Sequence, residues 1–247
     1  MIIIPLGTVS PYCKKRKNCP GFLIKDKDVK ILLDCGSGIS RLLDFPSDLK
    51  NLTVIISHLH KDHYSDLASI AYASFVYNNL GLLKEKIKVY LPNDTSCPDL
   101  NYFKNFGNEH FLEFIFYNSS DILNINNIKI NFCQNPHSIL TNSIKIATEK
   151  NSLVYSSDTG FLNNTLVDFA NNCNLLICES TFLKEQSNNN KNHLCAEESA
   201  IIARKANVKK LLLTHFWPEI KSKVYVKEAR KVFRKTFAAK ENKKIIL

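Results

Sequence analysis

Leu52-Thr53-Val54-Ile55-Ile56-Ser57 runs directly into His58-Leu59-His60-Lys61-Asp62-His63, and these twelve residues decide the fold. The first six are apolar and β-branched, the pattern of a buried strand. The next six carry three His and one Asp. With positions treated as independent, so dense a set arises by chance in about 3 in 10,000 chains of this make-up, so it signals ligand chemistry. A strand ending in a tight loop can aim several imidazoles and a carboxylate at one point. His58 and His60, two apart, project from the same side of an extended segment. Asp62 and His63 then serve a second, adjacent point. Imidazole plus carboxylate suits Zn²⁺, with Mn²⁺ or Fe²⁺ as alternatives.

The same pattern recurs further along the chain. His137 follows the strand-like Ile128–Gln134, Asp158 follows Leu153–Ser157, Glu179 follows Leu175–Cys178 and His215 follows Leu211–Thr214. Each is a potential ligand or acid/base group just past an apolar run, and sites in layered α/β proteins gather at such strand ends. One lone His in that position would more often be a satisfied polar residue. Several beside the His58–His63 run reverse the odds.

Around these anchors the chain reads as a sheet-rich core clad in helices. Expected strands are Ile2–Leu6, Val29–Leu33, Leu52–Ser57, Ile87–Leu91, Ile128–Cys133, Leu153–Ser156, Leu175–Cys178 and Lys210–Leu213, with Lys244–Leu247 as one more. Expected helices are Ile39–Phe45, Asp66–Asn79, Leu162–Asn171, Ala196–Ala206 and Val224–Phe237. Gln186–Asn192 reads as a loop. No linker or repeat divides the 247 residues, so one domain over 1–247 is expected.

Composition sets outer bounds. Apolar residues make up 45% and charged ones 23%, ordinary for a globular chain and against disorder. The net charge is +10, yet five of the 33 basic residues are Arg and basic pairs are scattered, which points to a generally solvated surface. That balance is compatible with an anionic substrate. Eight cysteines include no CxxC pair, and Cys35, Cys133, Cys173 and Cys178 sit in or beside apolar runs as small hydrophobes. Met1–Gly7 has no signal-peptide character, and no apolar run approaches bilayer length. A reducing cytoplasm with free thiols and no membrane contact is the expected setting.

HxHxDH at His58–His63, a later His at His137, SSDTG around Asp158 and LLLTHF around His215 together resemble the metallo-β-lactamase superfamily. More closely, they are similar to its ribonuclease Z-like and phosphodiesterase branch. The resemblance runs from PLGT and NCPGFLI through LLDCGSG to LTHFWPE. It implies an α/β four-layer αββα sandwich with the metals at one edge. It implies one cation held by His58, His60 and His137, a second by Asp62, His63 and His215, and Asp158 bridging the two. Glu179 in CESTF and His193 in NHLCAEESA resemble the pair that this branch sets beside its metals, where the His assists the leaving group and the Glu orients it. A phosphodiester leaves as a poor alkoxide unless a proton donor faces the nucleophile, which agrees with that role. A homodimer is also implied.

The expected reaction is hydrolysis by a dinuclear metal-activated hydroxide, with Asp62 holding a metal and orienting the water. His137 and Asp158 are separated by 21 positions, room for a strand-turn-strand over Ser143–Ala147 and Leu153–Ser156. The protruding arm that short ribonuclease Z enzymes insert there is missing. A small phosphodiester is therefore preferred as substrate, with cyclic nucleotides and related cyclic phosphates among the candidates. An RNA 3′-processing nuclease gripping RNA by another surface stays open, as does a lactone or thioester hydrolase on the same scaffold. A metal-stabilised binding protein without turnover is the remaining class.

Other residues weigh less. His110 has no partner pattern. Cys13 and Cys19 read as ordinary thiols rather than an auxiliary zinc site. Gly36-Ser37-Gly38 reads as a strand-to-helix turn. Nothing ties Ser180-Thr181 to substrate, and Trp217-Pro218 either lines the pocket or shapes the turn after His215.

Overall fold

Apolar residues run nearly unbroken along the central strands, so both faces must be covered, and the structure covers both. The computed structural model describes residues 1–106, 111–161, 164–187 and 192–247. The first half of the chain builds one sheet from β1 (Ile2–Gly7), β2 (Gly21–Asp26), β3 (Val29–Leu33), β4 (Leu52–Ile55), β5 (Ile87–Pro92) and β6 (Leu112–Tyr117). The second half builds another from β7 (Ile122–Ile125), β8 (Ile128–Asn135), β9 (Thr141–Ala147), β10 (Ser152–Tyr155), β11 (Leu175–Glu179), β12 (Leu211–Thr214) and β13 (Thr236–Ala238). Strand β14 (Ile245–Ile246) then returns to the first sheet beside β1. The sheet orders are β14-β1-β2-β3-β4-β5-β6 and β13-β12-β11-β10-β9-β8-β7.

Three separate cores define four layers. Between the sheets, Ile31, Leu33 and Ile55 meet Ile144, Ile146, Tyr155 and Ile177. The intervening residues of the same strands point outward. Leu32 and Val54 pack under α2 (Leu67–Asn79) through Leu67, Ile70 and Ala71. Leu176, Cys178, Leu211 and Leu213 pack under α4 (Asn164–Phe169), α5 (Ala196–Lys205) and α6 (Ser222–Ala229) through Leu166, Ala200 and Tyr225. This is why the parallel strands read as continuous apolar runs rather than alternating ones. The short α1 (Lys61–Tyr64) and α3 (Pro98–Phe106) complete the helices. The fold is the expected α/β four-layer sandwich, two seven-stranded sheets flanked by helices.

Several local expectations fail for definite reasons. Ile39–Phe45 is not a helix; it makes one 3₁₀ turn at Ser40–Leu42 before Leu43 goes extended, and Pro46 lies just beyond, where a helix cannot continue. The helix expected over Val224–Phe237 stops at Ala229, and Thr236–Ala238 pairs with β12 as the edge strand β13. The segment after Ala229 carries Val232, Phe233, Thr236 and Phe237, types that favour strand over helix. Strands β2, β6 and β7 and helices α1 and α3 escaped notice. The expected helix over Leu162–Asn171 is seen as Asn164–Phe169, Leu162 itself lying outside the described residues together with His110.

Candidate metal centre

The site begins with backbone placement. β3 and β4 are parallel neighbours, and both end at the same edge of the sandwich. Asp34, the residue after β3, is completely buried, and its carboxylate ties the site together. Its Oδ1 accepts the Ser57 backbone N–H at 2.8 Å. Its Oδ2 faces the Ser57 hydroxyl at 2.9 Å, the Tyr155 hydroxyl at 2.7 Å and His63 Nδ1 at 2.7 Å. Asp34 thus links both sheets to the loop His58–His63. It was overlooked in the sequence, although it obeys the rule that singled out Asp158: a carboxylate one step past an apolar strand. The turn that follows is tight. A Cβ on Gly36 would lie 2.0 Å from the Asp62 carbonyl oxygen, so only glycine fits there.

All seven expected ligands converge. His58 Nε2 is 3.1 Å from His60 Nδ1, which is 3.2 Å from His137 Nε2. Asp158 Oδ2 lies 3.6 Å from His58 Nε2 and 3.8 Å from His137 Nε2. The other oxygen, Oδ1, lies 3.5 Å from His63 Nε2 and 3.0 Å from His215 Nε2. Asp62 Oδ2, which accepts the Ser10 hydroxyl at 2.7 Å, is 3.6 Å from His63 Nε2 and 3.8 Å from His215 Nε2. One trio therefore faces each oxygen of Asp158, and the ligand atoms within each grouping lie within 4.8 Å of one another.

Outer partners set the tautomers. His63 donates Nδ1–H to Asp34, His137 donates Nδ1–H to the Asn192 carbonyl at 3.0 Å, and His215 Nδ1 meets the Thr181 hydroxyl at 2.8 Å. The Thr181 hydroxyl proton goes to Glu179 Oε2 at 2.7 Å, so His215 must be the donor in its pair. His58 Nδ1 faces the Ser57 and Ser157 hydroxyls at 3.1 and 3.3 Å. Each of these four rings is held through Nδ1 and turns Nε2 toward the centre, the arrangement that metal-ligating imidazoles adopt.

The donor set fits divalent cations by an independent sign. His63 Nε2, His215 Nε2 and Asp158 Oδ1 are buried with no hydrogen-bond partner. Burying unpartnered polar atoms is costly, and here all three point at one spot. Burial, with His63 next to it, holds His58 well below the usual imidazole range; burial also lowers His60 and His215. These three are neutral and able to ligate. For His63, burial is outweighed by Asp158, Asp34 and Asp62, which push it well above that range. Burial would raise Asp158, but His215 and His63 hold it well below the carboxylate range.

The expected acid/base pair also meets. Glu179, at the end of β11, is 1% exposed, and its Oε1 accepts the Thr159 N–H at 2.8 Å and His193 Nδ1–H at 3.0 Å. The His193 ring stacks on that of His215 at 5.4 Å and keeps 22% of its side-chain surface exposed. Burial lowers its pKa, but the Glu179 carboxylate and its hydrogen bond win and raise it to about 9. Thr181 was not recognised as part of the centre; it joins Glu179 to His215 in a single relay. Trp217 packs edge-on against Tyr12 at 6.2 Å, and the Cys13 and Cys19 sulfurs, 3.7 Å apart, join no cluster of metal-ligating residues among the described residues.

This fold with this cluster defines a metal-dependent hydrolase of the metallo-β-lactamase superfamily, in its ribonuclease Z-like branch. The chain belongs to the family described as Anti-Pycsar protein Apyc1, whose model matches residues 1–239. It is 26% identical over 216 residues to the probable metallo-hydrolase YhfI of Bacillus subtilis, covering 87% of this chain and 86% of that one. The YhfI crystal structure superposes with a TM-score of 0.89 over 99% of both chains, at 24% identity. The ribonuclease Z of Saccharolobus solfataricus is 27% identical over 285 residues, 94% of each chain. A diphosphatase of the PhnP family shares the fold at a TM-score of 0.74 and 14% identity, covering 100% of this chain and 97% of that one.

Proposed function

We propose that this chain is a dinuclear metal-dependent phosphodiesterase acting on small, cyclic phosphodiesters. The observation that carries this is the placement of Asp158 between two ligand trios, with the Glu179–His193 pair beside them. The first cation would be held by His58, His60 and His137, the second by Asp62, His63 and His215. Nitrogen and oxygen donors without thiolate suit Zn²⁺, with Mn²⁺ or Fe²⁺ as alternatives. When bound, two such ions supply Lewis acidity toward phosphoryl oxygens and a water nucleophile competent at neutral pH.

The chain's own residues do the rest. Asp62, fixed by the Ser10 hydroxyl, orients the attacking water and can take its proton. His193, its Nδ1–H anchored on Glu179, is protonated at neutral pH and delivers the Nε2 proton to the departing oxygen. An acyl substrate has less need of that pair. The link from His137 to Asp158 is the plain hairpin β9–β10, which favours a small substrate over one gripped by an arm. The ribonuclease Z relatives favour RNA as the second reading.

The deciding experiment strips the protein with chelator, reloads Zn²⁺ or Mn²⁺, and follows bis(p-nitrophenyl) phosphate, then cyclic nucleotides against precursor transfer RNA. Metal-restored hydrolysis with preference for cyclic nucleotides is expected. Efficient 3′ cleavage of the RNA at physiological salt would overturn the substrate, and no hydrolysis by folded, metal-loaded protein would overturn the reading. His193→Ala is expected to retain its metals and to lose about 10²–10⁴-fold in turnover of a poor leaving group.

A homodimer completes the reading. Helix α2 contains no charged residue, and it and the turn after it expose Tyr72, Val76 and Leu80 at 65%, 37% and 63%. Two copies can meet there despite a net charge of +10 each. Sedimentation should show a dimer that Val76→Glu dissociates. Eight free thiols agree with a reducing cytoplasm, and no described helix is long and apolar enough to cross a membrane.

A further inference from the structure

The scattered lysines of the sequence do not stay scattered. A groove of about 800 Å³ opens where the two sheets present their free edges, β13 and β14, beside α6. Fifteen residues line it, of which seven are Lys or Arg and none is Asp or Glu. The chain as a whole carries 33 basic and 23 acidic residues in 247, so the groove is far from an average sample of its surface. Lys210 precedes β12; Lys223, Lys227 and Arg230 come from α6 and its end; Lys240, Lys243 and Lys244 come from the C-terminal segment. The lysine ion pairs of the described side chains involve Lys14, Lys25 and Lys184 instead. Seven basic residues therefore line one concavity with no acidic residue among its lining, an arrangement that concentrates anions from solution.

The apolar part of the groove narrows the ligand. Phe237 is 48% exposed and Ile246 73% exposed, both on edge strands. The Arg230 guanidinium sits over the Phe237 ring at 5.6 Å, with its Nε–H donated to the Thr236 carbonyl at 2.9 Å. That is an aromatic platform held among cations. Unpaired bases stack on such a ring while lysines take the phosphates. Duplex bases are already stacked and unavailable, and a flat anionic membrane fits cations on a bulge better than cations around a hollow.

We propose that this groove binds single-stranded nucleic acid at a site separate from the metal centre. It shares no residue with the ligand cluster. Leu175 and Lys210 stand at the starts of β11 and β12, whereas Glu179 and His215 stand at their ends. A five-residue strand spans about 16 Å, so the groove tethers a strand rather than presenting it for cleavage. The inference does not depend on the phosphodiesterase reading.

The test uses the full-length, metal-loaded chain and a fluorescein-labelled, mixed-sequence DNA single strand of roughly 20 nucleotides, read by anisotropy across salt. If four or five lysines engage phosphates, log Kd should change with log salt with a slope of about 3. The triple variant Lys223→Glu, Lys227→Glu, Lys243→Glu should weaken binding at least tenfold and flatten that slope. Phe237→Ala should weaken binding by about 5- to 100-fold at unchanged slope. Both should hydrolyse the chromogenic diester like the parent. Photocrosslinking of an iodouracil-bearing strand to the unmodified protein should map to 236–246. No binding at about 50 mM salt, binding indifferent to the triple variant, or crosslinks elsewhere would overturn the proposal. Equal binding to phosphatidylserine vesicles, with Phe237→Ala neutral, would also overturn it, in favour of a membrane surface.

Discussion

The two ends of strands β11 and β12 carry opposite kinds of site. At one end, Glu179 and His215 join a buried cluster whose outer polar atoms are fixed by named partners while three inward-facing ones have none. At the other, Lys210 borders an exposed groove lined by seven basic residues and no acidic one. The first is rigid because it is wired to the backbone through Asp34, Thr181 and the serines. The second is held together only by topology: β13 and β14, six residues apart in sequence, are edge strands of different sheets, and α6 and the start of β12 complete the groove. Removing one group should accordingly be severe at the first end and mild at the second.

The steepest loss is expected from Asp158→Asn. It removes the charge shared by both trios and leaves a buried amide facing four imidazoles. Metal content measured by atomic absorption should fall from two ions to one or fewer per chain. Turnover should fall further than the 10–100-fold that loss of an outer partner costs. Two ions and ordinary turnover in this variant would dissolve the bridging assignment.

Glu179→Gln tests the acid/base pair without any metal. The folded pKa of His193, about 9, lies above the unfolded value near 6.5. A raised folded pKa stabilises fully below pH 6.5 and loses its contribution as pH climbs through 9. In chelated protein, urea unfolding should therefore show the parent ahead of Glu179→Gln by about 2–3 kcal/mol at pH 6. The gap should close by about pH 9.5. A gap constant with pH would mean that Glu179 supports Thr159 and Thr181 but does not govern His193.

Asp34→Asn asks whether an outer carboxylate tunes the ligands. Asn keeps the shape but gives the His63 Nδ1–H a weaker acceptor. Chelator competition should show metal affinity lower by about 10–100-fold, with little change in the affinity of the groove for single strands. Unchanged metal affinity would reduce Asp34 to a purely architectural link between the sheets.

What could be read from the sequence follows the same divide. His58–His63 is contiguous, and His137, Asp158, Glu179 and His215 each follow an apolar strand, so position marked them as candidates, while the resemblance to the ribonuclease Z-like branch implied their roles and added His193. Asp34 obeyed the same rule but had no neighbouring ligand in sequence, and it looked like part of a glycine turn. Thr181 matters only because Glu179 and His215, 36 positions apart, are brought to its hydroxyl. The groove was illegible for a related reason. Its lysines lie in three segments from 210 to 244, and the edge strand β13 that gathers them was taken for the tail of a helix. Pattern reading finds sites whose parts share an element; it misses sites made where elements meet.

The smallest predicted effect concerns the cost of gathering those cations. Seven like charges around one hollow repel one another in the folded state more than in the extended chain. Lys243→Gln with Lys244→Gln removes two of them from exposed positions without touching a hydrogen bond or ion pair of the described residues. Stability by urea unfolding should rise by about 0.2–0.5 kcal/mol at low ionic strength, the usual ceiling for surface changes. The gain should vanish in 1 M salt, where charges are screened within about 3 Å. The same pair placed at scattered lysines outside the groove, Lys15→Gln with Lys150→Gln, should give a smaller gain. Equal gains would mean that the repulsion is spread over the whole +10 surface rather than stored in the groove.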